Sequence, residues 1–282
     1  MSEQQRDRST PKPGAKLVLV GAALALTAAM LFPVYWMLAN SLESDSAIFQ
    51  IPAQLFPKPI TFEAYSTVLR DQAPHLVTSV EVALGAVLVS LIIAVPAGYA
   101  LAHFRSRANN AIVLCLLLAQ MVPAVTLATP VFLIFEKLGL LNSVLGLVLA
   151  DSTYAVPFAT LVLRAFFQAL PYDLVEAALV DGNGDWGAFL RVMLPLSVPG
   201  IVTAGLFAFL FAWGDFLFAL TLMTTNDIQP ISLSMYSYIG QYSTSWNDVM
   251  AIASLASIPA AILLIAFQRF IAGGLTAGAL KG

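Results

Sequence analysis

The sequence predicts an all-α, polytopic membrane protein with six transmembrane helices, and three observations carry that prediction. Of its 282 residues, 59% are hydrophobic and only 10% charged, where a soluble domain carries about 25% charged residues. The mean hydropathy is +0.85. Six windows reach the roughly 20 mostly apolar residues that a helix needs to cross a bilayer: 17–37, 80–102, 111–135, 144–167, 198–222 and 249–267. Together they take up about half of the chain, so no sizeable soluble domain is expected.

Residues 1–16 are polar, with two prolines and mixed charge, a composition that predicts a disordered tail. The first window follows a basic stretch, as a signal peptide does. Its 21-residue apolar core is too long for one, however, and Pro33-Val34-Tyr35-Trp36 offers no small-residue cleavage site, so a retained helix is predicted. The stretch 38–79 carries Pro52, Pro57 and Pro59 and should be extended or turning, with a short amphipathic helix over 61–69 that Thr61 caps. The turns 103–110 and 136–143 are both short, and the second makes the third and fourth spans antiparallel neighbours. A hydrophilic segment, 168–197, separates the fourth and fifth spans. A loop over 223–248 with Tyr236, Tyr238, Tyr242 and Trp246 separates the fifth and sixth. Pro96, Pro123, Pro130, Pro157 and Pro259 lie inside spans, where each removes a backbone donor that neighbouring helices or water must replace. The expected division is a tail of 1–16, a membrane domain of 17–272 and a tail of 273–282.

Six crossings put both termini on one side. That side holds Arg6, Arg8, Lys12, Lys16, Arg105, Arg107, Arg164, Arg191, Arg269 and Lys281, ten of the 13 basic residues; Lys58, Arg70 and Lys137 fall on the other. The positive-inside rule therefore places both termini in the cytoplasm. The single cysteine, Cys115, excludes an intrachain disulfide and reads as a small buried hydrophobe in the third span.

Within the hydrophilic segment, Pro171 suits a first helical turn, and a helix over 172–180 places Asp173 and Glu176 near its positive end. Ala177 and Ala178 keep one face thin, so that another protein can approach the backbone. Asp181-Gly182-Asn183-Gly184 ends the helix, with Gly182 suited to a left-handed cap. A second helix from Asp185 or Trp186 should end near Met193, ahead of Leu194-Pro195. The result is a knuckle that exposes carboxylates and small residues, suited to docking into a cleft with basic residues.

Glu176-Ala177-Ala178, Gly182, Val192 and Leu194-Pro195 reproduce the spacing E-A-A-x3-G-x9-I-x-L-P, with Val for Ile. The segment resembles the cytoplasmic coupling loop of the binding-protein-dependent ABC importer permeases. Trp213-Gly214-Asp215-Phe216 resembles the W-N-[ED]-F segment of the carbohydrate type, with Gly214 departing from the usual Asn. Residues 40–44 and the helix after them resemble that type's first periplasmic loop. The ending, 274–282, is similar to the C-terminal tail of the smaller permease of maltose-, glycerol-phosphate- and trehalose-type importers.

The resemblance implies a type I importer permease fold with a cytoplasmic coupling helix. It also implies an ATPase-coupling site of Tyr172, Asp173, Glu176, Ala177, Ala178, Asp181 and Gly182, in which the glutamate pairs with a basic residue of the ATPase. Asn183 stands where the family usually has alanine. The implied partners are a second, homologous permease forming a heterodimer, two ABC ATPase subunits, an extracytoplasmic solute-binding protein and the lipid of a bacterial cytoplasmic membrane. The chain would be non-catalytic and hold no cofactor, with ATP and Mg on the partner ATPase. Tyr236, Tyr238 and Tyr242 become candidate contacts for the binding protein; a belt of interfacial aromatics is the alternative.

Gln120, Asp151, Tyr154, Trp213 and Asp215 are the candidates for a substrate path. With this orientation Glu81, Asp151 and Asp215 fall in the outer half of the membrane, where a carboxylate is costly unless it faces water or a partner. One reading is a polar outer vestibule for a hydroxyl-rich substrate; the other is capping, pairing or helix–helix hydrogen bonding. There is no G-x4-G-K-[ST] phosphate loop, no ligand cluster around His75 or His103, no nucleophile–base arrangement and no basic nucleic-acid surface. A sugar permease is the reading that results. A permease for a non-sugar solute, and an ion-coupled secondary transporter relaying through Asp151, Asp215 and Arg164, stay as alternatives. The latter is expected to carry inverted repeats, and none is visible.

Overall fold

The structure, a computed structural model, describes the backbone of residues 13–104, 106–225, 228–241 and 245–279, and the side chains of these except 13, 14, 237, 238, 240, 241 and 271–279. Among the described residues every regular element is helical: α1 (Pro13–Ser41), α2 (Asp45–Ile48), α3 (Glu63–His103), α4 (Asn109–Met121), α5 (Ala124–Leu138), α6 (Val144–Ala169), α7 (Asp173–Val180), α8 (Asp185–Ala188), a π-helical turn (Phe189–Met193), α9 (Leu194–Leu196), α10 (Val198–Trp213), α11 (Leu217–Leu222), α12 (Ile231–Gln241) and α13 (Trp246–Ala279). The chain divides into two units, Met1–Thr67 with Ser245–Ser254, and Val68–Thr244 with Leu255–Gly282.

In the first unit α1 is apolar all round and exposes Leu17, Leu24, Met30 and Leu31 alike, the pattern of a helix that meets hydrocarbon rather than water. Polar groups fasten its end. Ser41 Oγ donates to Leu38 O at 2.7 Å and bonds the Tyr65 hydroxyl at 2.8 Å. Thr61 N–H donates to Leu42 O at 2.9 Å, and Trp246 N–H to Asp45 Oδ1 at 2.9 Å. Thr61 does not cap α3 as expected, since its hydroxyl is buried without a partner. Glu43 is buried here too, and burial pushes its carboxyl above the usual range.

Three windows differ from expectation. The short helix at 61–69 and the second span merge into the 41-residue α3, which runs through Pro74 because that residue lies on an exposed face where the missing N–H costs little. The third window is not one rod: α4 and α5 meet at 98°. Pro123 has no N–H, and the residue before a proline is driven out of the helical region; Val122 sits at φ −74°, ψ 120°. The fifth window breaks at 214–216, between α10 and α11. Cys115, expected to be buried, is exposed on α4. α13 runs through the expected tail as far as Ala279, and α12 occupies much of the outer loop. Among the described residues, α1, α3, α6 and α13 are each long and apolar enough to cross a membrane. The bent pairs, α4 with α5 and Asp185–Leu196 with α10, raise the number to six if each is one span.

In the second unit α6 is the central helix, buried on most of its length from Gly146 to Phe167. Ser143 starts it by accepting Gly146 N–H at 3.0 Å. Two cores form along it. One gathers Val82, Leu147, Ala150, Phe218, Leu222 and Leu233 near its beginning. The other gathers Tyr99, Leu163, Phe167, Val175, Ala178, Phe189 and Met193 near its end, directly beneath α7.

Candidate functional site

The knuckle begins at Leu170, where the chain leaves α6. In α7, Val175 and Ala178 turn inward to the Phe167 core, three residues apart on one face. Asp173, Glu176 and Ala177 face out. Asp173 and Glu176 stand in the first turn, where unsatisfied N–H groups favour negative charge. Gly182 adopts φ +85°. Its N–H bonds Leu179 O at 3.1 Å and the Asn183 N–H bonds Ala178 O at 3.0 Å, the paired closure that a left-handed residue permits at a helix end. Ala178 is therefore too deep to meet another protein, and its small side chain serves the chain's own packing.

The second arm departs from expectation. It does not end near Met193 but continues as a π-helical turn into α9, with Leu194 N–H bonded to Phe189 O. Pro195 cannot donate and crowds the carbonyl four residues back, and a widened turn just before it relieves that conflict. Asn183 has a local role. Its side chain accepts from Arg191 Nη1 at 3.2 Å and lies against Gly187, where a Cβ would come within 3.2 Å of Asn183 Oδ1. The exposed face of the knuckle combines Asp173, Glu176, Asp181 and Asp185 with Tyr172, Val180 and Trp186.

Beneath the knuckle lies an aromatic set that the sequence did not signal. His103, the last residue of α3, stacks on Tyr172 (ring centroids 5.7 Å apart, 26° between planes) and on Tyr99 (4.6 Å, 29°). Tyr99 in turn meets Phe189 at 4.7 Å and the edge of Phe167 at 5.4 Å. These partners are far apart in sequence, and no local pattern announces them.

The substrate-path candidates separate into three groups. Asp151, Tyr154 and Asp215 come together around one cavity of about 390 Å³, walled also by Ala124, Phe211 and Phe218. Asp215 accepts Phe218 N–H at 3.3 Å and Ala219 N–H at 3.0 Å, so it caps α11. Asp151 is 4% exposed and its Oδ2 is buried without a partner. Tyr154 donates to Val122 O at 2.9 Å, taking the carbonyl freed by the α4–α5 break. Trp213 is placed otherwise: it is buried, stacks on Phe209 and donates Nε1–H to Ala256 O at 3.0 Å. Gln120 sits half-buried at the end of α4, outside the cavity lining, and Glu81 is exposed, also outside it.

Asn142, which no motif in the sequence marks, holds the turn before α6 in the left-handed region (φ 53°). Its Oδ1 accepts the N–H groups of Thr224 and Thr225 at 2.7 and 3.1 Å, fastening that turn to the end of α11. Tyr154, the cavity-lining residue of α6 nearest its end, lies 15 residues ahead of Ala169, so about 22 Å of helix separates the cavity from the knuckle. Of the outer-loop aromatics, Tyr236 is exposed on α12 and stands edge-on to Phe216 at 5.2 Å; the side chains of Tyr238 and Tyr242 lie outside the described residues.

Among the described residues no group of three or more His, Cys, Asp or Glu could hold a metal ion. The family described as binding-protein-dependent transport system inner membrane component matches residues 90–276. The sulfoquinovosyl glycerol transport system permease protein of Agrobacterium fabrum is 35% identical over 271 residues, 95% of either chain. The trehalose transport system permease protein of Mycobacterium tuberculosis is 34% identical, over 89% of this chain and 93% of that protein. The glucose import system permease protein of Saccharolobus solfataricus is 34% identical, over 95% and 96%. Among solved structures, a bacterial ABC transporter involved in the import of the acidic polysaccharide alginate matches with a TM-score of 0.78 at 23% identity, covering 92% of this chain and 98% of that one. That likeness bears on the fold.

Proposed function

The chain belongs to the family of binding-protein-dependent transport system inner membrane components, and from that premise we propose that it carries a sugar into the cytoplasm as one half of the membrane channel of an ABC importer. It is a permease subunit, and its sequence has no phosphate loop, so ATP and Mg²⁺ belong on a partner ATPase. The observation that carries the reading is the knuckle: a short helix held by Gly182 that turns Glu176 outward while its other face is locked into the core. A rigid, acidic projection of this kind can take a push from a partner with a basic cleft and pass it on. Tyr172, Asp173, Ala177 and Asp181 complete its outer surface.

The partners proposed are two ATPase subunits at the cytoplasmic face, a homologous permease as the other half of a heterodimer, and a solute-binding protein outside, which Tyr236 on α12 would meet. Both termini face the cytoplasm on the charge distribution. Sugar cargo rests on the relatives named for sulfoquinovosyl glycerol, trehalose and glucose. The cavity is suited to such a solute, since Asp151 and Tyr154 set hydrogen-bonding groups against the apolar walls Phe211 and Phe218.

The test is uptake of a panel of radiolabelled sugars into liposomes that hold the whole transporter with its binding protein. One sugar should enter only with ATP inside. Glu176→Ala should cut its uptake about tenfold or more with the complex still assembled, the loss expected for one charge-assisted hydrogen bond. Uptake untouched by Glu176→Ala would remove the coupling role. Uptake driven by a proton gradient without ATP would place the chain among ion-coupled transporters.

A further inference from the structure

We propose that His103 is the positioning residue that couples the knuckle to α3, so that displacement of α7 moves α3 and α6 as one body. The proposal rests on the reading of the knuckle as the surface that receives the ATPase stroke. The covalent chain joins α7 to α6 through Leu170, Pro171 and Tyr172, and to the second arm of the knuckle and α10 through residues 181–184. α3 has no such link; it meets the knuckle through the shared core, in which rings make the contacts to Tyr172 and Phe189.

His103 stacks on Tyr172, at the very start of α7, and on Tyr99 one turn back in α3. Its Nδ1–H donates to Tyr99 O at 3.3 Å, which fixes the ring's orientation. Tyr99 is 7% exposed and touches both arms of the structure around it, Phe167 at the end of α6 and Phe189 in the second arm of the knuckle. Gly98, beside Tyr99, lets α3 lie directly on α6: a Cβ there would meet Leu163 Cβ at 2.9 Å and Arg164 N at 3.1 Å. Close-packed rings and backbones transmit a displacement instead of absorbing it. α3 then carries the motion along its 41 residues, about 60 Å of helix. Among the described residues, His103 is the ring of α3 that stacks on Tyr172.

The experiment measures sugar taken up per ATP hydrolysed by the whole transporter in liposomes. His103→Ala should lower that ratio about fivefold while ATP hydrolysis continues, within the range expected for losing a pair of ring contacts. His103→Phe, which keeps a flat ring, should restore it. An unchanged ratio in His103→Ala, or no recovery in His103→Phe, overturns the proposal while leaving the wild type an importer. Absence of ATP-driven uptake in the wild type instead removes the underlying reading, and the proposal with it. A second arm covers an alanine variant that does not assemble. In a Cys115→Ala background, His103→Cys with Tyr172→Cys should transport poorly when reduced and recover when a bifunctional thiol reagent joins the two positions. Transport that stops on joining means that α3 and α7 must part during the cycle, which also overturns the proposal.

Discussion

At Gly182 the backbone stands at φ +85°, whereas Gly184, two residues on, has φ −76°. Neither Cβ position meets another atom within 4 Å, so the two sites differ only in backbone conformation. Alanine at 182 must hold a left-handed geometry that costs an L-residue about 1–2 kcal/mol; alanine at 184 holds an ordinary extended one. Gly182→Ala should therefore speed amide exchange across 173–183, while Gly184→Ala leaves it unchanged, and equal exchange in both would deny that the left-handed cap holds the knuckle. Gly182 could be read from the sequence because a helix end is local chemistry. So could the outward Glu176, from its place in the first turn. The inward turn of Ala178 could not be, because it depends on Phe167 and Phe189 being underneath. His103 and Tyr99 were invisible for the same reason: their partners lie about 70 and 90 residues away in the chain. Asp215, half-buried, caps α11 and also lines the cavity, so capping does not withdraw it from that space.

Elements were legible where one apolar run forms one helix. The fourth window, 144–167, and α6 (Val144–Ala169) nearly coincide. They were not legible where an apolar run is interrupted without losing its hydropathy. Composition sees 111–135 and 198–222 as continuous, but Pro123 in one and the cap of Asp215 in the other break the backbone. α3 lies close to its neighbours at Gly98, and α10 to α3 at Gly205, and the two sites differ in what lies opposite. The Cβ of an alanine at 98 would press on the backbone of α6, which cannot rotate away. At 205 it would meet the tip of Leu91 at 3.3 Å and Val87 at 3.6 Å, side chains that can yield. Gly98→Ala should cost about 1–3 kcal/mol, the usual penalty of overpacking, and lower the melting temperature of the purified protein; Gly205→Ala should leave it nearly unchanged. Equal melting temperatures would mean that α3 and α6 are free to separate at this level.

For the whole molecule, the open choice that geometry poses is how α4 and α5 use the membrane. A 98° bend between helices of 13 and 15 residues suits either a broken crossing or a re-entrant loop that returns to the side it left. Charge distinguishes the two. Arg105 and Arg107 precede α4, in the half of the chain's loops that gathers ten of the 13 basic residues, while Lys137 at the end of α5 belongs with the remaining three. A re-entrant pair would move Lys137 across and reverse the side of every later loop. Arg164, Arg191 and the knuckle would then fall outside, and the asymmetry that the positive-inside rule requires would vanish. The proposed docking of an ATPase on the knuckle needs it on the cytoplasmic side, so that docking and the charge distribution ask for the same odd number of crossings between 107 and 137. In a Cys115→Ala background, Lys137→Cys should react with a membrane-impermeant thiol reagent in intact cells, and Arg107→Cys only after permeabilisation. Both positions are exposed, so failure to react reports sidedness rather than burial. Reaction of the two from the same side would make α4–α5 re-entrant, put the knuckle outside the cell, and remove the reason for assigning it an ATPase.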